Sequence, residues 1–248
     1  MWLAGRIARV DVGRNVAFGE VMALRRQLRD APSWTAIFVK AFAIVAAEMP
    51  QLRRVYLKYP WPHLYEYASS TVSVLQEREF EGDIGILPLR FYTPDTIPLD
   101  RLSAMIRATV EAPVGTVSFH RKLIAIARLP LVLRRMIWAL AMNVPRLHRE
   151  IGTYGVSSAA RWQAVLGTTR SPLPCLLSYG PADAQGSVAV RLNFDHRIFD
   201  GALAGRALSR LDEVINGTIA AELRAMIAKQ KETTEASPGP GRTHPDVA

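Results

Sequence analysis

Leu192-Asn193-Phe194-Asp195-His196-Arg197-Ile198-Phe199-Asp200-Gly201-Ala202 is the stretch on which the reading of the fold turns. Upstream of its centre, Val188–Phe194 alternates apolar residues with Arg191 and Asn193, the period of a half-buried strand. Downstream, Leu203, Ala207, Leu208 and Leu211 recur at helical spacing over Ala202–Ile215, and Asn216-Gly217 reads as the stop. His196 therefore falls just beyond a strand and just before a helix, where side chains reach the edge of a sheet. Histidine titrates near working pH, so it can take a proton from a thiol, hydroxyl or amine and return one to a leaving group. The same residues admit a plainer reading, in which Asp200 is an N-cap and His196 a hydrogen-bonded surface side chain.

Working outward, Gly152-Thr153-Tyr154-Gly155-Val156-Ser157-Ser158 reads as a strand in which Ser157 and Ser158 point to opposite faces. Turns fall at Gly167–Pro174 and Gly180–Gly186. In the first half, Ile7–Val12 reads as a strand and Phe18–Arg29 as an amphipathic helix. Ser33 is placed to cap an apolar helix running to about Met49, whose Ala36, Phe38, Val39, Phe42, Ile44 and Val45 cover more than one stripe and predict burial. Strands broken at Pro60-Trp61-Pro62 and at Glu81-Gly82-Asp83 follow from Val55 to about Arg90, including the β-branched run Thr71–Leu75. Pro98–Ala112 returns to helix. After about Gln230 the composition turns to Thr, Ser, Pro and Gly, so residues 230–248 are expected to form a disordered tail behind a single domain of residues 1–229.

The chain has 248 residues, 49% hydrophobic and 21% charged, enough for a substantial core. One cysteine, Cys175, excludes an internal disulfide and a cysteine-rich zinc site. Arg6, Arg9 and Asp11 stand where an export signal needs an apolar run, so a cytoplasmic setting is expected. The net charge of +9 is concentrated: Arg121, Lys122, Arg128, Arg134, Arg135, Arg146 and Arg149 occur with no acid between Arg121 and Arg149. No helix-turn-helix, zinc-finger or RNA-binding signature accompanies them, which argues against nucleic acid as the partner.

The histidine stretch resembles the C-terminal signature of the acyltransferase cores of 2-oxoacid dehydrogenase complexes, which share their fold with chloramphenicol acetyltransferase. Gly152–Ser158 resembles the strand that supplies a hydroxyl donor in that family, and Thr35–Pro50 resembles its buried helix. The likeness covers most of residues 7–216, with the histidine motif its specific part. It implies an α/β two-layer sandwich of chloramphenicol acetyltransferase type, a mixed sheet with helices packed on it. By the same resemblance His196 is the general base, Ser157 stabilises the tetrahedral oxyanion, and Asp200 is structural and paired with an arginine. Coenzyme A carrying the acyl group is the implied co-substrate, with no metal. Trimers or higher assemblies of trimers are implied, with His196 of one chain facing Ser157 of another.

Three departures accompany the resemblance. No lipoyl or subunit-binding domain precedes the matching stretch, which implies a core without its own swinging arm. The arginine partner of Asp200 has no assigned counterpart. The segment from about residue 116 to 150 is longer and more apolar than the connection expected there. Arg128, Pro130, Arg134 and Arg135 interrupt its apolar runs, which excludes a spanning helix. Three readings of it stand: a helical pair packed on the core or on a neighbouring subunit, a cationic peripheral membrane contact through residues 121–149, or the lining of a long acyl-chain pocket. The function expected is a stand-alone acyltransferase using a small-molecule or lipid acceptor. The alternatives are a core that serves lipoyl carriers on other proteins and a non-catalytic trimeric scaffold or membrane-surface protein.

Overall fold

The computed structural model describes residues 8–235, backbone only at 234 and 235. Eight strands and eight α-helices lie along them. They are β1 (Arg9–Ala17), α1 (Gly19–Arg26), α2 (Trp34–Glu48), β2 (Arg54–Leu57), β3 (His63–Glu66), β4 (Thr71–Phe80), β5 (Asp83–Tyr92) and α3 (Leu99–Glu111). There follow α4 (Ser118–Ala127), α5 (Leu131–Ala141), α6 (Pro145–Ile151), β6 (Tyr154–Ser158), β7 (Cys175–Ala182), β8 (Ser187–Asp195), α7 (Gly201–Val214) and α8 (Ala220–Glu235). Six strands form one mixed sheet in the order β1-β8-β7-β6-β4-β5, and β2 with β3 makes a separate two-stranded ribbon. The pairs β4–β6 and β6–β7 are parallel, and the remaining pairs of the main sheet are antiparallel.

Local signals account for most of these elements. Ser33 caps α2 as expected, its hydroxyl accepting from the Ala36 N–H at 3.2 Å. Ten of the fifteen α2 residues are buried, so this helix is the central rod of the helical layer. The β4–β5 hairpin turns at Glu81 (φ 54°) and Gly82 (φ 84°), two successive left-handed residues that suit a tight two-residue loop. Alternate strand positions face the helices: Leu192 and Phe194 on β8, Cys175 and Leu177 on β7, Tyr154 and Val156 on β6, Val72 and Val74 on β4. The other face carries Arg191, Asn193 and Asp195 of β8, Ser178 of β7, and Gly155 and Ser157 of β6. The result is a helical layer on one side of the sheet and a polar, partly uncovered face on the other.

The C-terminal end departs from the sequence-based expectation. Asn216-Gly217 does not stop α7: the chain passes through a π-helical turn, Ile215–Ile219, and continues as α8 to Glu235. Burial of Ile215, Ile219, Ala220 and Leu223 against the core overrides the glycine, and the Asn216 side chain bonds back to Asp212 rather than capping a terminus. A further tie is the buried Lys40 ammonium, which donates to Glu222 of α8 at 2.9 Å. The expected tail from residue 230 is thus helical to 235, and the remainder of it lies outside the described residues, as does the Ile7 start of the first strand. Residues 116–150 form three helices, α4 to α6, where a pair was the simplest expectation. Pro130 and Pro145 open α5 and α6 because neither needs an N–H partner there.

Gly152 links α6 to β6 with φ 124°, a conformation that side chains resist. A Cβ there would lie 2.9 Å from Ser73 Oγ and 3.0 Å from Leu173 Cδ2. Gly152→Ala is expected to destabilise the fold by about 1–3 kcal/mol, read as a lowered midpoint in urea with an unchanged slope.

Candidate active site

His196 begins the connection between β8 and α7. Its backbone N–H donates to Ala8 O at 2.8 Å, which continues the β1–β8 ladder one step past the last paired residue. The side chain is exposed, its ring 6.0 Å from that of Phe194, and it makes no hydrogen bond among the described residues. The imidazole is therefore held by its backbone and by one aromatic neighbour, with both ring nitrogens available.

The residues around it rigidify that turn. Asp195 is buried, and its carboxylate takes a forked set of bonds from the Arg197 guanidinium, at 2.9 Å from Nε and 2.6 Å from an Nη. It also accepts from the Arg197 backbone N–H at 3.1 Å. Arg197 in turn lies over the Tyr56 ring at 4.2 Å. On the other flank Arg9 reaches across to Pro174 O at 3.1 Å, and Asp195 N donates to the same carbonyl at 3.0 Å. Both side chains flanking the histidine thus fix its approach. The role of Asp195 escaped the sequence reading, although an acid and an arginine on either side of a histidine is a legible sign of such a clamp.

Asp200 is the N-cap of α7, its Oδ1 accepting from Leu203 N at 2.8 Å. No ion pair to Asp200 occurs among the described residues, so the arginine partner implied by resemblance is not found there. The plainer reading of this residue holds.

Ser157 stands in β6, half-buried on the sheet face opposite the helices. Its hydroxyl makes no hydrogen bond among the described residues, whereas Ser158 Oγ donates to Tyr179 O at 2.9 Å. The strand serine bound to backbone is thus Ser158, and Ser157 is the free donor. In register Ser157 lies beside Ser178, which lies beside Arg191. His196 is two strands across and five residues further along. At about 3.3 Å per residue and about 4.8 Å per strand, the two side chains of one chain are roughly 20 Å apart. One chain does not bring them together.

Two other histidines are buried. His120 anchors α4 to the sheet through a 3.1 Å contact with Pro88 O. His148 of α6 is fully buried with neither ring nitrogen paired, beside the Tyr67 ring and a narrow crevice that also touches Tyr56, Leu173, Asp195 and Arg197. Burial holds its pKa down to about 4. Because this folded-state value lies below the ordinary 6.5, the unfolded chain binds the proton more readily. Stability is therefore full above pH 6.5 and is lost as the pH falls towards 4, by up to about 3 kcal/mol. His148→Leu is expected to flatten that acid limb, measured as the urea midpoint against pH.

Cys175 is also fully buried, and burial pushes its thiol up to about 12, which removes it as a nucleophile. The larger surface hollow lies along β1 and β8 between Gly13 and Arg191, away from His196, and no candidate catalytic group lines it. Among the described residues no group of His, Cys, Asp and Glu could hold a metal ion.

No protein-family model matches this chain, and no curated protein matches it significantly. Solved structures do. The cubic core of a pyruvate dehydrogenase multienzyme complex is similar at 17% identity, with 90% of this chain and 86% of that one covered and a TM-score of 0.63. Dihydrolipoamide acetyltransferase of Azotobacter vinelandii is similar at 18% identity, with 90% and 86% covered and a TM-score of 0.62. Chloramphenicol acetyltransferase follows at 12% identity, 86% and 90% covered, TM-score 0.50. The fold is thus that of the chloramphenicol acetyltransferase-type cores, as the histidine stretch led one to expect.

Proposed function

We propose that this protein transfers acyl groups from a coenzyme A-type thioester, with His196 as general base and Ser157 as oxyanion donor, in sites formed between copies of the chain. The observation that carries the proposal is the pairing of a free, exposed imidazole with a free strand hydroxyl on a fold shared with acyltransferases. In the Azotobacter protein a serine, a histidine and an asparagine four positions after it have been studied for roles in catalysis. His196 and Asp200 here have that same spacing, although Asp200 acts as a helix cap.

The chemistry follows from these groups. The His196 imidazole takes the proton of the acceptor, whose lone pair attacks the thioester carbonyl. The Ser157 O–H donates to the oxygen as it becomes negative, and such a donor contributes roughly 10²–10³ in rate. The carbon–sulfur bond then breaks, and the imidazolium returns its proton to the departing thiolate. One group serves as base and then acid, so no second carboxylate is called upon.

The roughly 20 Å separation within one chain supports assembly between copies, as does the likeness of the fold to that of a cubic core. The acceptor is a small molecule or a lipid. The second reading, a core serving lipoyl carriers of other proteins, draws on the dihydrolipoamide acetyltransferases among the similar structures. Thiol release from short- to long-chain acyl-CoAs, with and without a lipoylated carrier domain, tests both. Turnover of acyl-CoA alone supports the stand-alone enzyme, and turnover only with the carrier supports the second reading. Neither turnover nor acyl-CoA binding would favour a non-catalytic scaffold.

A further inference from the structure

Helix α5 is built inside out for a water-soluble surface. None of its residues is buried, yet Leu131, Val132, Leu133, Met136 and Leu140 are 45–68% exposed. At about 100° per residue these five side chains span about 200° of the helix circumference. Ile137 and Trp138 lie on the opposite, half-buried side. The outward face is thus a broad convex surface of aliphatic side chains, with the exposed Arg135 among them, rather than a narrow seam, and it exceeds the scattered exposure that needs no explanation.

Its setting is cationic. The acid-free run from Arg121 to Arg149 brackets it on both sides. Arg121, Lys122 and Arg146 are exposed and make no ion pair among the described residues. Helix α4 is pinned to the rim of the sheet by His120 on Pro88 O and by Arg128 on Glu81 at 2.8 Å, so the segment is a fixed platform. No helix among the described residues is long and apolar enough to cross a membrane.

We propose that α5 is the docking face of this protein for an anionic lipid bilayer, the leucines and Met136 entering the acyl boundary and the flanking cations meeting the headgroups. Two features favour a bilayer over a second copy. A two-fold contact would bring this cation-bordered face against itself with no acid to pair, and a head-to-tail contact between copies would need an acidic counterpart elsewhere on the chain, whose net charge is +9. A wide convex arc of aliphatic side chains also suits a fluid phase better than a packed groove. The inference does not depend on the acyl-transfer reading.

The test is sedimentation of the full chain with vesicles of phosphatidylcholine alone or of phosphatidylcholine with phosphatidylglycerol. The expected result is binding to the anionic vesicles only, weakened by added salt. Arg121→Glu with Lys122→Glu is expected to weaken partition by roughly 10- to 100-fold. Leu133→Glu with Met136→Glu is expected to abolish binding while the urea midpoint shifts little, because Met136 is 62% and Leu133 45% exposed. His196→Ala should bind as the parent does, which separates this result from any failure of catalysis. Absence of binding to either vesicle, or equal binding to both, overturns the proposal. So does a Leu133→Glu/Met136→Glu protein that keeps its vesicle binding but changes oligomer size, which would assign the face to a second copy.

Discussion

Alanine at His196 is expected to lower acyl-CoA thiol release by roughly 10²–10⁴ while leaving the urea midpoint unchanged. The stability half of this expectation follows from exposure: the imidazole makes no hydrogen bond among the described residues, and its main-chain bond to Ala8 survives the substitution. The activity half follows from the absence of a substitute base close by. Asp195 is buried and occupied by Arg197, and Asp200 is spent on the first turn of α7. The loss should fall on kcat more than on KM, since a general base acts in the transition state and contributes little to ground-state binding. His196→Gln, which keeps a polar side chain of similar reach without the proton affinity, should be as inactive as the alanine variant.

Ser157→Ala is expected to cost roughly 10²–10³ in rate, about 3–4 kcal/mol of transition-state stabilisation. The hydroxyl has no partner within the described chain, so removing it leaves no buried group unsatisfied and the fold should tolerate the change. Ser158→Ala supplies the contrast. Its hydroxyl donates to Tyr179 O and accepts from Ala160 N, so its loss should register in stability and leave turnover comparatively intact. Thiol release and urea midpoints measured on both variants distinguish an oxyanion donor from a structural serine.

The parts of this fold that were legible in the sequence are those decided locally. The alternation of Val188–Phe194 and the helical spacing after Gly201 placed His196 between a strand and a helix, and Ser33 announced the start of α2. What escaped the sequence depends on distant partners. The Asn216-Gly217 pair carries the mark of a helix stop, yet the pocket that accepts Ile219 and Leu223 is made by residues far away in sequence and keeps the chain helical. The Asp195–Arg197 clamp needed the geometry of the turn to be seen. The distance between Ser157 and His196 needed the strand order, which places β7 between their strands and offsets them along the sheet. Resemblance implies that two chains meet at the site, and the offset between Ser157 and His196 in the sheet register is the observation in keeping with that proposal.

Complementation between variants decides whether two chains build each site. His196→Ala and Ser157→Ala chains, each inactive alone, are co-expressed with different tags, and mixed oligomers carrying both tags are isolated. If each site takes its histidine from one chain and its serine from a neighbour, a trimer carrying both tags holds one intact site in three, and thiol release from acyl-CoA returns to about a third of the parent value. Mixed oligomers as inactive as either variant alone would rule out a site shared between chains.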